Sequence, residues 1–179
     1  TKEASLLAIK QPWRGMARTI YNDHARYKET YFTNDYYLAG DGATKDETGD
    51  FQITGRIDDV LNVSGHRLGS AEIENALLTH PAVAESAVVS MAHEIKGDAI
   101  YAFATLKSHC KPSEELKIEL SNTVRHVIGP IATPEVIQWA SELPKTRSGK
   151  IMRRLLKKIA NNDTEQLGDL STLASPNVI

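Results

Sequence analysis

Seven basic side chains, Lys145, Arg147, Lys150, Arg153, Arg154, Lys157 and Lys158, follow Pro144 with no acid among them. Such a run is a solvated helix face, a grip on a phosphate backbone or lipid surface, or a place where one lysine meets one anion. Ser148 and Gly149 favour the third reading, because they put Lys150 at the start of a helix beginning near Ser148. A lysine there would join unpaired backbone N–H groups in attracting a negative group. Arg153, Arg154, Lys157 and Lys158 lie further along and read as surface. Three other stretches could hold a polar ligand. In "YYLAGDGA", Asp41 between Gly40 and Gly42 is either a turn residue or a carboxylate that accepts hydrogen bonds from both hydroxyls of a ribose. "GRIDDV" sets Arg56, a planar fork of donors, beside Asp58 and Asp59, as a salt-bridged hinge loop or as a ligand contact. "NVSGHRLG" gathers Ser64, Gly65 and Arg67, and Gly65 would let a ligand come close to the backbone. No G-x-x-x-x-G-K-[ST] loop, zinc-ligand spacing or Ser/His/Asp order is legible.

The elements that must position these groups follow from the pattern around them. "ASLLAI" reads as a strand, residues 11–32 as a helix with loops, and "YYLAGDGATKDETGDFQITGR" as two strands joined at "DETG". After Arg56 the character changes. "DDVLNVSGHRLG" is a short strand and a Gly-bearing loop, and Ser70 caps a helix with Glu72 and Glu74 in its positive first turn. "VAESAVVSMA" and "AIYAFATL" are apolar strands. Pro112 and Ser113 open a longer helix whose apolar face is Leu116, Leu120, Val124, Val127 and Ile128. "EVIQWA" is a strand, and the last helix turns Ile151, Leu155 and Ile159 inward. The order predicts an α+β fold, a small β-sheet covered by helices, after a β-rich segment. The boundaries fall at 1–57, 58–160 and an extended tail, 161–179.

Composition fits that reading. With 179 residues, 41% apolar and 25% charged, the chain can bury a core. A net charge of −2 makes any basic surface local and excludes a global polyanion binder. The single cysteine, Cys110, fits a reducing, cytoplasmic setting. No apolar run is long enough to span a bilayer. "TKEASLLAIK" has no signal-peptide pattern and no initiator Met, as though cut from something longer.

Taken together, the "YYLAGDG…SAEIENAL" stretch with "HPAVAESAVV", "GPIATPEVI" and "LPKTRSGKIMRRLLKKIA" resembles the C-terminal region of the AMP-forming acyl-CoA synthetases, within the adenylate-forming enzymes. The resemblance covers essentially the whole chain. Its wording at "GHRLG", "GPIATPEVI" and "KTRSGKIMRR" is that of the acetate-activating members, with propionate-activating ones the nearest competitor. The resemblance implies two half-reactions: ATP and acetate give acetyl-adenylate and pyrophosphate, and the acetyl group then passes to coenzyme A. ATP, Mg2+ and coenzyme A are the implied substrates and cofactors, with no nucleic acid and no membrane.

By matching position, Asp41 would bind the ribose hydroxyls with Arg56 in support, and Arg67 would approach the ATP phosphates or hold its loop. Lys150 would be the catalytic charge of the adenylation half. Ser64 and Gly65 would line the coenzyme A tunnel, and Arg125 would meet the coenzyme A nucleotide phosphate. Leu78, His80 and Val83 match a loop where relatives bind a cation, partly through backbone carbonyls. Asp58 matches the hinge of a C-terminal domain that rotates between the half-reactions. Acetylation of Lys150 by a lysine acetyltransferase, reversed by a deacetylase, is implied as an off switch. Residues 1–57 would close a large N-terminal domain that carries the phosphate loop and acyl pocket, so the chain alone is expected to be inactive. The alternative is a stand-alone binding or acyl-acceptor module.

Overall fold

A computed structural model describes residues 5–163 and 167–175. The chain divides into two compact units, Thr1–Asp59 and Val60–Ile179. The first is built on β1 (Ser5–Ile9), α1 (His24–Tyr31), β2 (Phe32–Thr33), β3 (Tyr36–Lys45) and β4 (Phe51–Arg56). β3 is its central strand and pairs antiparallel with β1, β2 and β4. The turn after β3 is set by Asp46, whose Oδ1 accepts the Thr48 and Asp50 N–H groups, so the expected hairpin forms around "DETG". Trp13, Tyr31 and Phe32 gather about Tyr37, with Tyr31 stacked on it at 5.5 Å.

The second unit carries β5 (Val60–Val63), β6 (His66–Gly69), α2 (Ser70–Leu78), β7 (Val83–His93), β8 (Gly97–Leu106), α3 (Glu114–Val127), β9 (Val136–Trp139) and α4 (Arg153–Ala160). Its five-stranded sheet runs β6-β5-β8-β7, and β9 joins β8 in parallel, returning through α3. β7 and β8 read as nearly unbroken apolar runs because both faces of the sheet are covered. On one face Val88, Ile100, Ala102 and Ala104 pack with Ile73 and Leu77 of α2 and Leu120 and Val124 of α3. On the other, Ala87, Val89 and Phe103 pack with Leu143 and with Leu156 and Ala160 of α4. Each fully buried Leu, Ile or Phe there contributes about 2 kcal/mol of transfer free energy.

The α+β class stands as expected, with four local differences. The stretch after Val63 is a second strand, β6, because Ser64 (φ 49°) and Gly65 (φ 82°) form a two-residue turn that pairs Val63 with His66. Gly69, with extended backbone, is the N-cap of α2, and Ser70 is its first helical residue, with no side-chain capping bond. Ser113 does cap α3, accepting the Leu116 N–H, yet Val127 is exposed because the helix ends there and only Leu120 and Val124 reach full burial. The last helix starts at Arg153, not near Ser148. No helix among the described residues is long and apolar enough to cross a membrane.

Candidate functional site

In the first unit, the ladder between β3 and β4 brings three expected residues together. Asp41 and Arg56 are opposite partners, and a guanidinium Nη1 lies 3.7 Å from Asp41 Oδ1. Arg56 Nε donates to Asp58 Oδ1 at 3.1 Å, and Nη1 donates to the Ala39 carbonyl at 3.2 Å. Gly40 makes room for this. A Cβ there would stand 2.9 Å from Nη1, and its φ of 76° already excludes most side chains. The Asp58 hydrogen bond, against partial burial, raises the Arg56 pKa above its ordinary value. Asp41 is thus a partly exposed carboxylate beside a positive fork that Asp58 and the Ala39 carbonyl hold.

In the second unit, Ser64 and Gly65 form the tip between β5 and β6, and Arg67 is exposed on β6 opposite Asn62. The Ser64 N–H donates to the Lys96 carbonyl. A Cβ at Gly65 would meet nothing within 4 Å, so the glycine serves its positive φ and leaves open space outside. A cavity of about 300 Å³ adjoins Ser64, lined by Val63, Lys96, Ile131, Thr133 and Glu135 among others. Thr133 Oγ1 is buried with no hydrogen-bond partner among the described residues, which marks it as a group sequence patterning did not reveal. Arg125 is exposed in the last turn of α3, where its charge also suits the helix dipole.

The turn after α2 tests the cation reading. The His80 ring accepts the Ala82 N–H at Nδ1 and lies 3.4 Å from Glu119 at Nε2, and the His80 carbonyl accepts the Val83 N–H. Val83 is buried and Leu78 is exposed. The imidazole is therefore committed to shaping the turn, which leaves main-chain oxygens as donors. Among the described residues no group of three or more His, Cys, Asp or Glu could hold a metal. These residues do not by themselves fit Mg2+, which takes near-octahedral oxygen sets with carboxylate or phosphate.

Lys150 is placed by a tight hairpin instead of a helix end. Lys145 pairs with Ile151, Thr146 N–H donates to the Lys150 carbonyl at 2.8 Å, and Gly149 N–H donates to the Thr146 carbonyl at 2.8 Å. Gly149 adopts φ 83°, as a three-residue hairpin loop ending in a left-handed residue requires. Thr146 Oγ1 also accepts the Lys150 N–H at 3.1 Å. The Lys150 main chain is thus held at both its N–H and its carbonyl by one threonine, while its side chain is exposed. The helix expected at Ser148 is displaced to Arg153 because these residues spend their hydrogen bonds on the turn.

The other basic residues have separate fates. Lys145 pairs with Glu85 at 2.5 Å, Arg153 grips Glu74, Arg154 donates to the Leu167 and Asp169 carbonyls, and Lys158 lies 3.3 Å from Asp163. Arg153 and Arg154 are therefore structural, which corrects their reading as plain surface. The side chains of Arg147, Lys150 and Lys157 have no hydrogen-bond or ion-pair partner among the described residues, and of these only Lys150 has its main chain pinned by Thr146. Glu74, expected in the positive first turn of α2, is instead a buried acid that accepts from Arg153 and from the Val88 N–H, while Glu72 is the acid of the first turn.

Residues 72–150 match the model of the AMP-binding enzyme C-terminal domain. That stretch, within the second unit, is a domain of this family. Over 175 residues it is 62% identical to acetyl-coenzyme A synthetase of Syntrophobacter fumaroxidans, and 59% identical to that of Escherichia coli. Each match covers 97% of this chain and 27% of the relative, so the chain spans about a quarter of their length. It is also similar to the crystal structure of an anthranilate CoA ligase in complex with anthranoyl-AMP, with a TM-score of 0.81 and 27% identity over 92% of this chain and 31% of that one.

Proposed function

We propose that this chain is the C-terminal part of an AMP-forming acetate–CoA ligase, and that Lys150 is the charge that drives its first half-reaction. The observation that carries this is how Lys150 is held. Its ammonium is exposed and, like the side chains of Arg147 and Lys157, unpartnered among the described residues, but it alone of the three stands on a backbone bonded at both N–H and carbonyl by Thr146, while Lys145, Arg153, Arg154 and Lys158 are engaged. As an acetate oxygen attacks the α-phosphorus of ATP and pyrophosphate leaves, negative charge builds on the phosphoryl oxygens. A fixed positive charge there stabilises that state more than the ground state. Asp41 would accept both ribose hydroxyls, oriented by Arg56, which turns nucleotide binding into positioning. Arg67 would hold its loop or meet the phosphates, and Mg2+ would arrive with them.

In the second half-reaction the coenzyme A thiol attacks the acetyl carbonyl and AMP departs. Ser64 and Gly65 would line the path of the pantetheine arm beside the 300 Å³ cavity, and Arg125 would meet the nucleotide phosphate. Asp58 lies next to the division at Asp59/Val60 and would be the hinge about which the second unit turns between the half-reactions. On this reading the first unit closes a large N-terminal adenylating domain, a view supported by Leu6, Phe51 and Ile53, apolar residues left exposed. The chain alone is expected to release no pyrophosphate. A cytoplasmic setting, and neutralisation of Lys150 by acetylation, belong to the same proposal, as does propionate as the competing acid.

The test uses the full-length protein. Lys150→Ala is expected to slow acetate-dependent pyrophosphate exchange by at least about a hundredfold and to leave acetyl transfer from supplied acetyl-adenylate within a few-fold of normal. Exchange at the unaltered rate would refute the role of Lys150.

A further inference from the structure

The segment that follows α4 does more than trail away. From Thr172 to Ala174 it runs antiparallel to Lys145–Arg147, with Arg147 N–H donating to the Thr172 carbonyl at 3.0 Å and Ala174 N–H donating to the Lys145 carbonyl at 2.8 Å. The strand Lys145–Arg147 therefore has partners on both edges, the Lys150–Ile151 arm on one side and the tail on the other. A two-stranded hairpin alone is marginal in water, and a third strand changes that. Leu173, opposite Thr146, is buried to 7% exposure, so the added strand is anchored by an apolar side chain.

A second fastening lies five residues upstream. Arg154, in the first turn of α4, donates through Nη1 to the Leu167 carbonyl at 2.9 Å and through Nη2 to the Asp169 carbonyl at 3.0 Å. Gly168 lies between these carbonyls with φ 73°, and a Cβ there would fall 2.1 Å from Arg154 Nη1. A side chain there would push the fork off these carbonyls, from a left-handed backbone that favours glycine. Asp169 Oδ1 then accepts the Ser171 N–H, turning the chain into the added strand.

We propose that residues 167–175 form a strap that holds the Lys150 hairpin in register, so that Arg154, Gly168 and Leu173 are positioning residues for the Lys150 ammonium. This rests on the role given to Lys150 above. The strap touches no reacting atom; it fixes the strand from which Thr146 pins Lys150. An ångström of displacement of a catalytic group can cost about a hundredfold in rate, and only the half-reaction that uses Lys150 would sense it.

The experiment compares full-length wild type, Lys150→Ala, Gly168→Ala and a truncation ending after residue 166. Gly168→Ala and the truncation are expected to slow acetate-dependent pyrophosphate exchange by roughly tenfold to a hundredfold, with acetyl transfer from supplied acetyl-adenylate within about twofold of normal. Hydrogen exchange of the Arg147 amide should quicken in both variants, and of the Ala174 amide in Gly168→Ala, while β7 and β8 amides keep their protection. Faster exchange at Arg147 with adenylation unchanged, in a protein where Lys150→Ala does abolish adenylation, overturns the strap. Arg147 protection that survives the truncation overturns it too. If Lys150→Ala itself leaves adenylation intact, the functional reading fails and the strap's catalytic role with it.

Discussion

Arg153 places Nη2 2.8 and 2.6 Å from the two carboxylate oxygens of Glu74, tying the first turn of α4 to the buried side of α2. The same carboxylate accepts the Val88 N–H of β7 at 2.8 Å, so one buried acid joins three elements. Because α4 begins three residues after Lys150, this pair also fixes where the hairpin ends. Arg153→Ala would leave Glu74 charged, buried and short of its partner, and should cost about 3 kcal/mol or more, read as a lower denaturant midpoint. Replacing both members, as Glu74→Leu with Arg153→Met, should recover part of that loss, although the Val88 N–H is then orphaned.

Gly40→Ala should act on Arg56 before it acts on the fold. Its Cβ would press on a guanidinium nitrogen at 2.9 Å from a left-handed backbone. Stability should fall by about 1–3 kcal/mol. If Asp41 meets the ATP ribose as proposed, the KM for ATP of the full-length protein should rise by roughly tenfold, since a displaced fork no longer orients Asp41. A KM that does not move, with kcat alone reduced, would contradict the ribose role of Asp41.

At Gly65 the expectations separate in the opposite way. An added methyl meets no protein atom, so Gly65→Ala should cost only the left-handed penalty, about 1 kcal/mol. If the coenzyme A arm passes there, acetyl transfer should drop at least about tenfold while acetate-dependent pyrophosphate exchange stays normal. Equal loss in both half-reactions would point to a purely structural glycine.

Glu135 gives a pH test. Its Oε2 lies 2.6 Å from Lys96 Nζ, and that hydrogen bond, ahead of the opposing effect of burial, holds its pKa below the ordinary 4.5. A depressed folded-state pKa contributes stability that is complete above 4.5 and is lost as the pH falls through the folded value. Lys96→Met should therefore lower stability at neutral pH by about 0.5 kcal/mol for this half-exposed pair. The difference from wild type should shrink as the pH drops below the ordinary carboxylate range, as urea titrations at pH 7 and pH 3 would show.

Local chemistry determined much of this protein before any tertiary contact was considered. The apolar runs of β7 and β8, the Ser113 cap and Leu120/Val124 spacing of α3, and the "DETG" turn depend on neighbours within a few residues, and these elements stand where the sequence puts them. Motif wording singled out Asp41, Arg56 and Lys150. What tertiary structure alone decided is how the basic run divides. Lys145 meets Glu85 and Arg153 meets Glu74 across 60 and 79 residues of chain, and the tail's carbonyls return to Arg154 and to the strand before Lys150. Those partners carry no period and no spacing, because a buried carboxylate or a free strand edge selects its cation or donor by distance in space. The start of α4 moved for the same reason: "TRSGK" can cap a helix or close a hairpin, and the hairpin prevails where a third strand completes it.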